Sequence, residues 1–315
     1  MSDARVHHAT AKTSADMRRG FPTGLVAATV VLAGITLWSY WGTIDDLFRE
    51  WQRNEDYSAG QLVPLVAVFL VWRERKRLRQ CRLGPCWWGL ILLLLAQAGR
   101  FFGLLFVFES AERYSLALMI AGLTLTVAGW QVFRRSFWIL SFLFLMVPFP
   151  GQIHNRLNGP LQSMSTRGAV FLLEAFGVRV SQQGNVILLD GRIEMAVVEA
   201  CSGLRMLTAF IIVGAFIAYM IRRARWQKAT LLLSSIPVAV VCNMLRLVVT
   251  AFLFLMASSE VAEKFFHDFA GLVMMPAAVL IMFGELWLLD KLVLPEDDPE
   301  RKDEVVIRAR PATRH

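Results

Sequence analysis

Charged residues are scarce in this sequence: they make up 18% of its 315 residues, whereas hydrophobic residues make up 56%. Soluble domains contain roughly 25% charged residues, and the mean hydropathy of this chain is +0.50. Several apolar runs approach the ~20 residues that a helix needs to cross a bilayer. The scarcity of charge therefore argues against a soluble protein and predicts an all-α polytopic membrane protein.

Cysteine is also scarce, with four residues in the whole chain. That number is too small for a disulfide framework. Cys81 and Cys86 are spaced like a metal pair, but no second Cys/His pair lies nearby, so we predict neither a metal site nor a cofactor. A cleavable signal peptide is not expected, because the first apolar run follows a polar tail and lacks a small-residue cleavage site.

The apolar runs predict about eight transmembrane helices. The residue ranges of the predicted spans are 22–40, 60–72, 87–108, 114–131, 136–147, 204–221, 230–256 and 269–289. An acid-rich loop is expected at 42–59, and Arg134 and Arg135 are expected in a turn. We predict one transmembrane domain at 21–290, with disordered tails at 1–20 and 291–315.

The basic residues concentrate between these spans and in the tails. The net charge is +8, and Lys and Arg accumulate in loops that stay cytoplasmic. We therefore expect these basic residues to contact membrane lipids, and we expect no nucleic-acid partner. With eight spans all strongly basic segments fall on one side. The prediction is a multi-pass protein of the plasma (inner) membrane with both termini in the cytoplasm.

The longest region without a span, at 150–201, is predicted on the extracytoplasmic side. Its residues 161–176 have apolar positions at helical spacing. In the following residues, 178–198, Asp190-Gly191 separates two apolar runs. Asp-Gly between apolar runs is a strong signal for a β-hairpin. A small hairpin is therefore expected to lead the chain to Cys201.

Cys201 stands between Ala200 and Ser202-Gly203, directly before the sixth apolar run. A lone cysteine in a membrane protein is most often a small packing residue. Here, however, small residues permit close backbone approach, and a helix begins beside it. A helix N-terminus favours anions and lowers the pKa of a thiol, which generates the reactive thiolate. Cys201 is therefore a candidate nucleophile on the extracytoplasmic side.

Arg246 lies inside the seventh apolar run, where a buried charge is costly and suggests a function. The alternative is that its side chain extends to the interface. Asn243 lies three residues earlier and shares its helix face. Arg100 also interrupts an apolar run, but it has no recognisable polar companion, so we interpret it as structural.

His267, followed by Asp268, lies at the predicted outer end of the last span. It is one of two histidines on the cysteine's side, and the other is His154. Proton transfer near neutral pH requires such a group. Cys201, Arg246 and His267 at one membrane face would make a site for acyl transfer through a thioester, with Arg246 stabilising the oxyanion or the thiolate.

These motifs resemble those of the exosortase/archaeosortase family of membrane-embedded cysteine transpeptidases. The segments that carry the resemblance are Val198–Arg205, Asn243–Arg246, Phe266–Asp268, Asp56–Ser58 with the following Gly60, and Val147–Pro150. The family's proposed catalytic residues correspond to Cys201, Arg246 and His267. One position departs from the family, because Ala59 stands where members often have a histidine.

The resemblance implies that the substrates are secreted proteins with a C-terminal sorting signal of the PEP-CTERM type. Cleavage would occur at the outer membrane face, with transfer to a surface acceptor, and the family is often associated with exopolysaccharide production. Arg205, Asn243 and Asp268 are candidate substrate-binding or supporting residues. Arg205 has two open roles: it binds the substrate carbonyl, or it faces the lipid headgroups.

Two other functions remain open at this stage. A polytopic transporter would use Arg100 and Arg246 along a polar path. It should then show polar residues in several spans and inverted repeats, which the sequence does not display. A non-catalytic scaffold for exopolysaccharide export would explain the spans, but it would leave Cys201, Arg246 and His267 unrelated.

Overall fold

The computed structural model describes residues 23–184, 186–191, 193–196, 203–221, 223–256 and 270–292. The chain divides into two compact units. The first consists of residues 1–54 and 60–149, and the second consists of residues 55–59 and 150–315. The predicted tail at 1–20 and all but the first two residues of the tail at 291–315 lie outside the described residues.

All regular secondary structure in the described part of the first unit is helical. Its helices are α1 (Thr23–Ser39), α2 (Trp41–Arg53), α3 (Leu62–Leu78), α4 (Trp88–Phe106), α5 (Glu109–Leu123) and α6 (Trp130–Phe142). Large apolar side chains such as Leu94 and Phe101 on α4 are exposed. Exposed apolar surface of this extent marks a face that contacts lipid in a membrane protein. On the inner side of α4, Gly103 and Gly122 of α5 bring the two helices close together, since a Cβ at either position would meet the neighbouring helix at 2.9 Å.

Helix α2 corrects the prediction of a loop at 42–59. The loop was inferred from five acidic residues, but Thr43, Leu47 and Trp51 recur at a spacing of four and are buried. The indole Nε1 of Trp51 donates a hydrogen bond to the carbonyl oxygen of Met146 at 2.9 Å. The segment is therefore an amphipathic helix with Thr43, Leu47 and Trp51 on its buried face.

The basic segments of this unit are also helical. The expected turn at Arg134 and Arg135 lies inside α6, and much of the basic run at 73–82 forms the last turns of α3. Arg and Lys are good helix formers, and they are favourable at a helix C-terminus because they complement its dipole. Charge at these positions marks the ends and surfaces of helices rather than breaks between them.

Arg100 of α4 does have polar partners. Its Nη1 donates a hydrogen bond to the hydroxyl of Ser39 at 2.5 Å, and its Nη2 donates to the Ser39 carbonyl at 2.6 Å. The guanidinium carbon lies 4.3 Å from the centre of the Tyr40 ring, in cation–π geometry. Arg100 thus joins α4 to the junction of α1 and α2, which is a structural role.

The described part of the second unit combines four α-helices with a small sheet. Its elements are α7 (Gly151–Ala175), β1 (Val180–Gln183), β2 (Val186–Leu189), β3 (Ile193–Ala196), α8 (Leu204–Met220), α9 (Arg225–Met256) and α10 (Ala270–Leu292). Helix α7 begins directly after Pro150, ten residues before the predicted start. Because proline at a helix start loses no intrahelical hydrogen bond, Pro150 defines this end of α7.

The sheet has three antiparallel strands in the order β1-β2-β3, where the sequence predicted a single hairpin. Asp190 and Gly191 connect β2 to β3 and have φ values of 50° and 67°. Aspartate and glycine tolerate this left-handed region better than other residues. The inner face of β2, with Ile187 and Leu189 both at 0% exposure, packs on α7 and α9.

The number of spans is where the sequence prediction is not confirmed. Among the described residues, two helices, α4 and α9, are long and apolar enough to cross a membrane, and a third candidate is Trp130–Met146 together with Gly151–Ala175 as one span. Shorter apolar helices occur at Thr29–Ser39, Leu204–Met220 and Val279–Leu288. The predicted spans at 60–72 and 136–147 were short because their apolar runs belong to helices that also carry charge.

Candidate functional site

Gly203 is the first described residue after the candidate nucleophile, and its conformation fixes the start of α8. Its φ is +85° and its ψ is −8°, in the left-handed region that favours glycine. A Cβ at this position would lie 3.1 Å from the Nδ2 atom of Asn243. Cys201 and Ser202 lie outside the described residues. Gly203, which follows them in the chain, packs against Asn243 of α9.

Asn243 and Arg246 form the polar centre of α9. Asn243 is 0% exposed and Arg246 is 6% exposed, although both belong to a helix that is mostly apolar. The carbonyl of Arg246 accepts a hydrogen bond from the hydroxyl of Thr250, which is also fully buried. A guanidinium held at this depth is costly unless it serves a partner or a substrate. The structure therefore brings Asn243, and the turn that carries Arg246, to the start of α8.

A row of buried polar residues on α7 was missed by the sequence analysis. Asn158, Gln162, Ser165 and Thr166 are all buried. Their spacing of about one helical turn was a usable signal, because polar residues that recur at i, i+4 and i+7 occupy one helix face. The expectation of a helix at 161–176 rested on the apolar positions alone.

Helix α7 packs against α9 through two apolar clusters. Leu161 packs in a cluster with Leu204 and Cys242, and Ala169 packs in a second cluster with Leu247. The two helices therefore run in the same direction, and Ser165 falls between the two apolar clusters. Along the sequence, Gln162, Ser165 and Thr166 of α7 lie between the residues of the two clusters, as Asn243 and Arg246 of α9 do.

Arg205 lies in the first turn of α8 and forms an ion pair. Its Nη1 is 2.6 Å from Oε2 of Glu55, and its side chain is 29% exposed. Glu55 belongs to the short helical segment before α3, whose residues 55–59 are part of the second unit. One turn further along α8, the hydroxyl of Thr208 donates to the carbonyl of Asp56 at 2.7 Å. The sequence analysis did not foresee this pairing, which occupies the Arg205 side chain within the protein.

His154 joins the same segment to the first turn of α7. Its Nδ1 lies 2.7 Å from the hydroxyl oxygen of Tyr57, a hydrogen-bond distance. Its Nε2 lies 3.8 Å from Oδ2 of Asp56, which is an ion-pair distance when the imidazole is protonated. Tyr57 and Asp56 are both buried. In the described part of this unit, His154 is therefore a histidine with defined polar partners.

His267 and Asp268, like Cys201, lie outside the described residues, so their positions relative to Arg246 stay predictions. The described part of the candidate site consists of Arg205, Asn243 and Arg246, all within the second unit. Among the described residues, no group of three or more His, Cys, Asp or Glu side chains is arranged to hold a metal ion.

The protein-family model of transmembrane exosortases matches residues 51–284 of the 315. The match includes Cys201, Arg246 and His267 as well as the segment that contacts Arg205. No curated protein and no solved structure matches the chain. The match covers more than half of the chain and agrees with its exposed apolar helices. This protein therefore belongs to the transmembrane exosortase family and is a membrane protein.

Proposed function

We propose that this protein is a membrane-integral cysteine transpeptidase that cleaves C-terminal sorting signals of the PEP-CTERM type from secreted proteins. The cleaved protein is transferred to an acceptor at the cell surface. The observation that carries the proposal is the buried Asn243–Arg246 turn beside Gly203, two residues after Cys201, in a chain of the exosortase family. A thiol, a buried cation and an amide at one helix start are the components of an acyl-transfer site.

The reaction proceeds in two half-reactions. The Cys201 thiolate attacks the carbonyl carbon of the scissile peptide bond, and Arg246 stabilises the negative charge on the oxygen. The C–N bond then breaks, and His267 donates its proton to the departing amine, which leaves a thioester on Cys201. In the second half-reaction His267 removes a proton from the acceptor, an amine or water. The acceptor attacks the thioester and releases the thiolate.

The location of the site suits a substrate anchored in the membrane. The sorting signal places a short motif directly outside a hydrophobic helix, so the scissile bond lies near the membrane surface. A nucleophile on the extracytoplasmic side, next to the start of α8, can reach that bond. Labelling of intact cells with a membrane-impermeant maleimide tests this topology. Cys201 should react, and Cys81 should react only after the membrane is permeabilised.

The decisive experiment is the Cys201→Ala variant, expressed together with a secreted protein that carries a sorting signal. Uncleaved substrate should accumulate while the level of the enzyme stays normal. Cys242→Ala is the matched control, since it removes a thiol from α9 without touching the proposed nucleophile, and it should process the substrate normally. Processing that continues in Cys201→Ala would refute the thiol mechanism.

A further inference from the structure

The segment Glu55–Ala59, here called the positioning segment, contacts the helix that follows the proposed nucleophile. We propose that this segment holds the first two turns of α8 in the orientation needed for catalysis, with His154 as its anchor. Arg205 and Thr208 are then positioning residues, which act on the reaction by placing Cys201. The proposal rests on the proposed function, but it has a readout that does not depend on it.

The positioning segment contacts α8 at two successive turns. Glu55 pairs with Arg205 at 2.6 Å, and the carbonyl of Asp56 accepts the hydrogen bond from Thr208 at 2.7 Å. Residues three apart lie on the same face of a helix, so both contacts act on one side of α8. Two contacts one turn apart fix the rotation of the helix about its axis, whereas a single contact would not.

The other side of the positioning segment is fixed to α7. Tyr57 is hydrogen-bonded to His154 at 2.7 Å, and the two rings lie 5.7 Å apart between centroids. Ala59 is buried at 3% exposure, so this end of the segment packs inside the protein. His154 lies in the first turn of α7, whose later turns pack on α9. The segment therefore connects the start of α8 to α7, which packs on the helix that carries Arg246.

The Glu55–Arg205 pair is too exposed to contribute much to stability. The side chain of Glu55 is 51% exposed, and that of Arg205 is 29% exposed. Exposed ion pairs contribute little to folding because water and salt screen them. Position matters far more for catalysis, since a displacement of about 1 Å can cost roughly 100-fold in rate. The expected signature is a large loss of rate with a normal thermal midpoint.

The first test uses an uncharged change and measures thiol reactivity directly. In a background where Cys81, Cys86 and Cys242 are replaced, the rate at which iodoacetamide alkylates Cys201 is measured in detergent. Thr208→Val removes the hydrogen bond to Asp56 and should change the alkylation rate at least about threefold, because the thiol shifts at the helix start. Thr230→Val is the matched control on α9, where the hydroxyl contacts only its own helix. Equal rates in the two variants would overturn the proposal.

The second test exchanges the charges of the ion pair. Glu55→Arg and Arg205→Glu should each reduce substrate processing about 10-fold or more, and the double exchange should restore at least half of it. If Arg205 instead bound the substrate, the exchange would not rescue activity, and the proposal would be wrong. The control is the Asp45–Arg49 pair on α2, also 2.6 Å long and exposed. Asp45→Arg should leave processing unchanged.

The anchor is tested by combining Tyr57→Phe with His154→Gln. Both remove the same hydrogen bond, so the loss of processing in the double variant should equal that of the more impaired single variant. If the loss in the double variant equals the product of the two single losses, Tyr57 and His154 do not act as one anchor. If Cys201→Ala retains processing, the proposed function fails, yet the alkylation comparison still decides whether the segment positions Cys201. The two failures are thus distinguishable.

Discussion

Replacing Gly203 by alanine should damage the protein through two separate effects. Gly203 has a φ of +85°, where a residue with a Cβ pays about 1–2 kcal/mol. The new methyl group would also lie 3.1 Å from Nδ2 of Asn243, closer than ordinary van der Waals contact. Crowding in a packed site adds typically about 1–3 kcal/mol. The total expected loss is therefore about 2–5 kcal/mol in the free energy of unfolding.

Gly177 provides the matched control in the same unit. Its φ is +84°, but a Cβ there would meet no atom within 4 Å. Gly177→Ala should therefore lose only the conformational part, about 1–2 kcal/mol. The difference between the two variants isolates the contact with Asn243.

The assay is thermal unfolding of both variants in the same detergent, together with substrate processing. We expect a lower midpoint for Gly203→Ala than for Gly177→Ala, and loss of processing in Gly203→Ala alone. Adding Asn243→Ser to Gly203→Ala should restore part of the lost unfolding temperature, because the shorter serine side chain leaves room for the new methyl group. Equal midpoints for the two alanine variants would refute the close approach of α8 to Asn243.

Two further predictions concern single side chains. Arg246→Lys should reduce processing about 100-fold while keeping the charge, because an ammonium lacks the planar fork of donors; full activity would mean that charge alone suffices. Trp51→Phe removes the hydrogen bond to the carbonyl of Met146 and leaves that carbonyl buried. This change should lower the free energy of unfolding by about 1–3 kcal/mol, measured against the surface variant Trp87→Phe, which should have no effect.

The parts of the fold that the sequence predicted well are those governed by local pattern. The third predicted span became Trp88–Phe106, and the sixth became Leu204–Met220, because long apolar runs have few alternatives to a helix in a membrane protein. Helix α2 was missed for a local reason as well. Its acidic residues outweighed the periodic apolar positions at Leu47 and Trp51, although periodicity is the stronger signal.

The contacts of the candidate site could be predicted only in part. The spacing of Asn243 and Arg246 predicts that they share a helix face, and both are buried on α9. The partner of Arg205 could not be found in this way, because Glu55 lies 150 residues earlier in the chain. Tyr57 and His154 are separated by 97 residues. No local periodicity relates residues so far apart, and only the tertiary fold selects those partners.

The early position of Glu55–Ala59 in the chain determines the order in which the second unit can be completed. This segment is synthesised before α7, and its contacts with Thr208 span 152 residues. Contacts of such long sequence separation form late in folding. A fragment of residues 150–315 would lack one of its own packing elements, so it should accumulate only when the N-terminal half is supplied beside it. Splitting the gene between Phe149 and Pro150 and expressing the halves together would reveal this dependence.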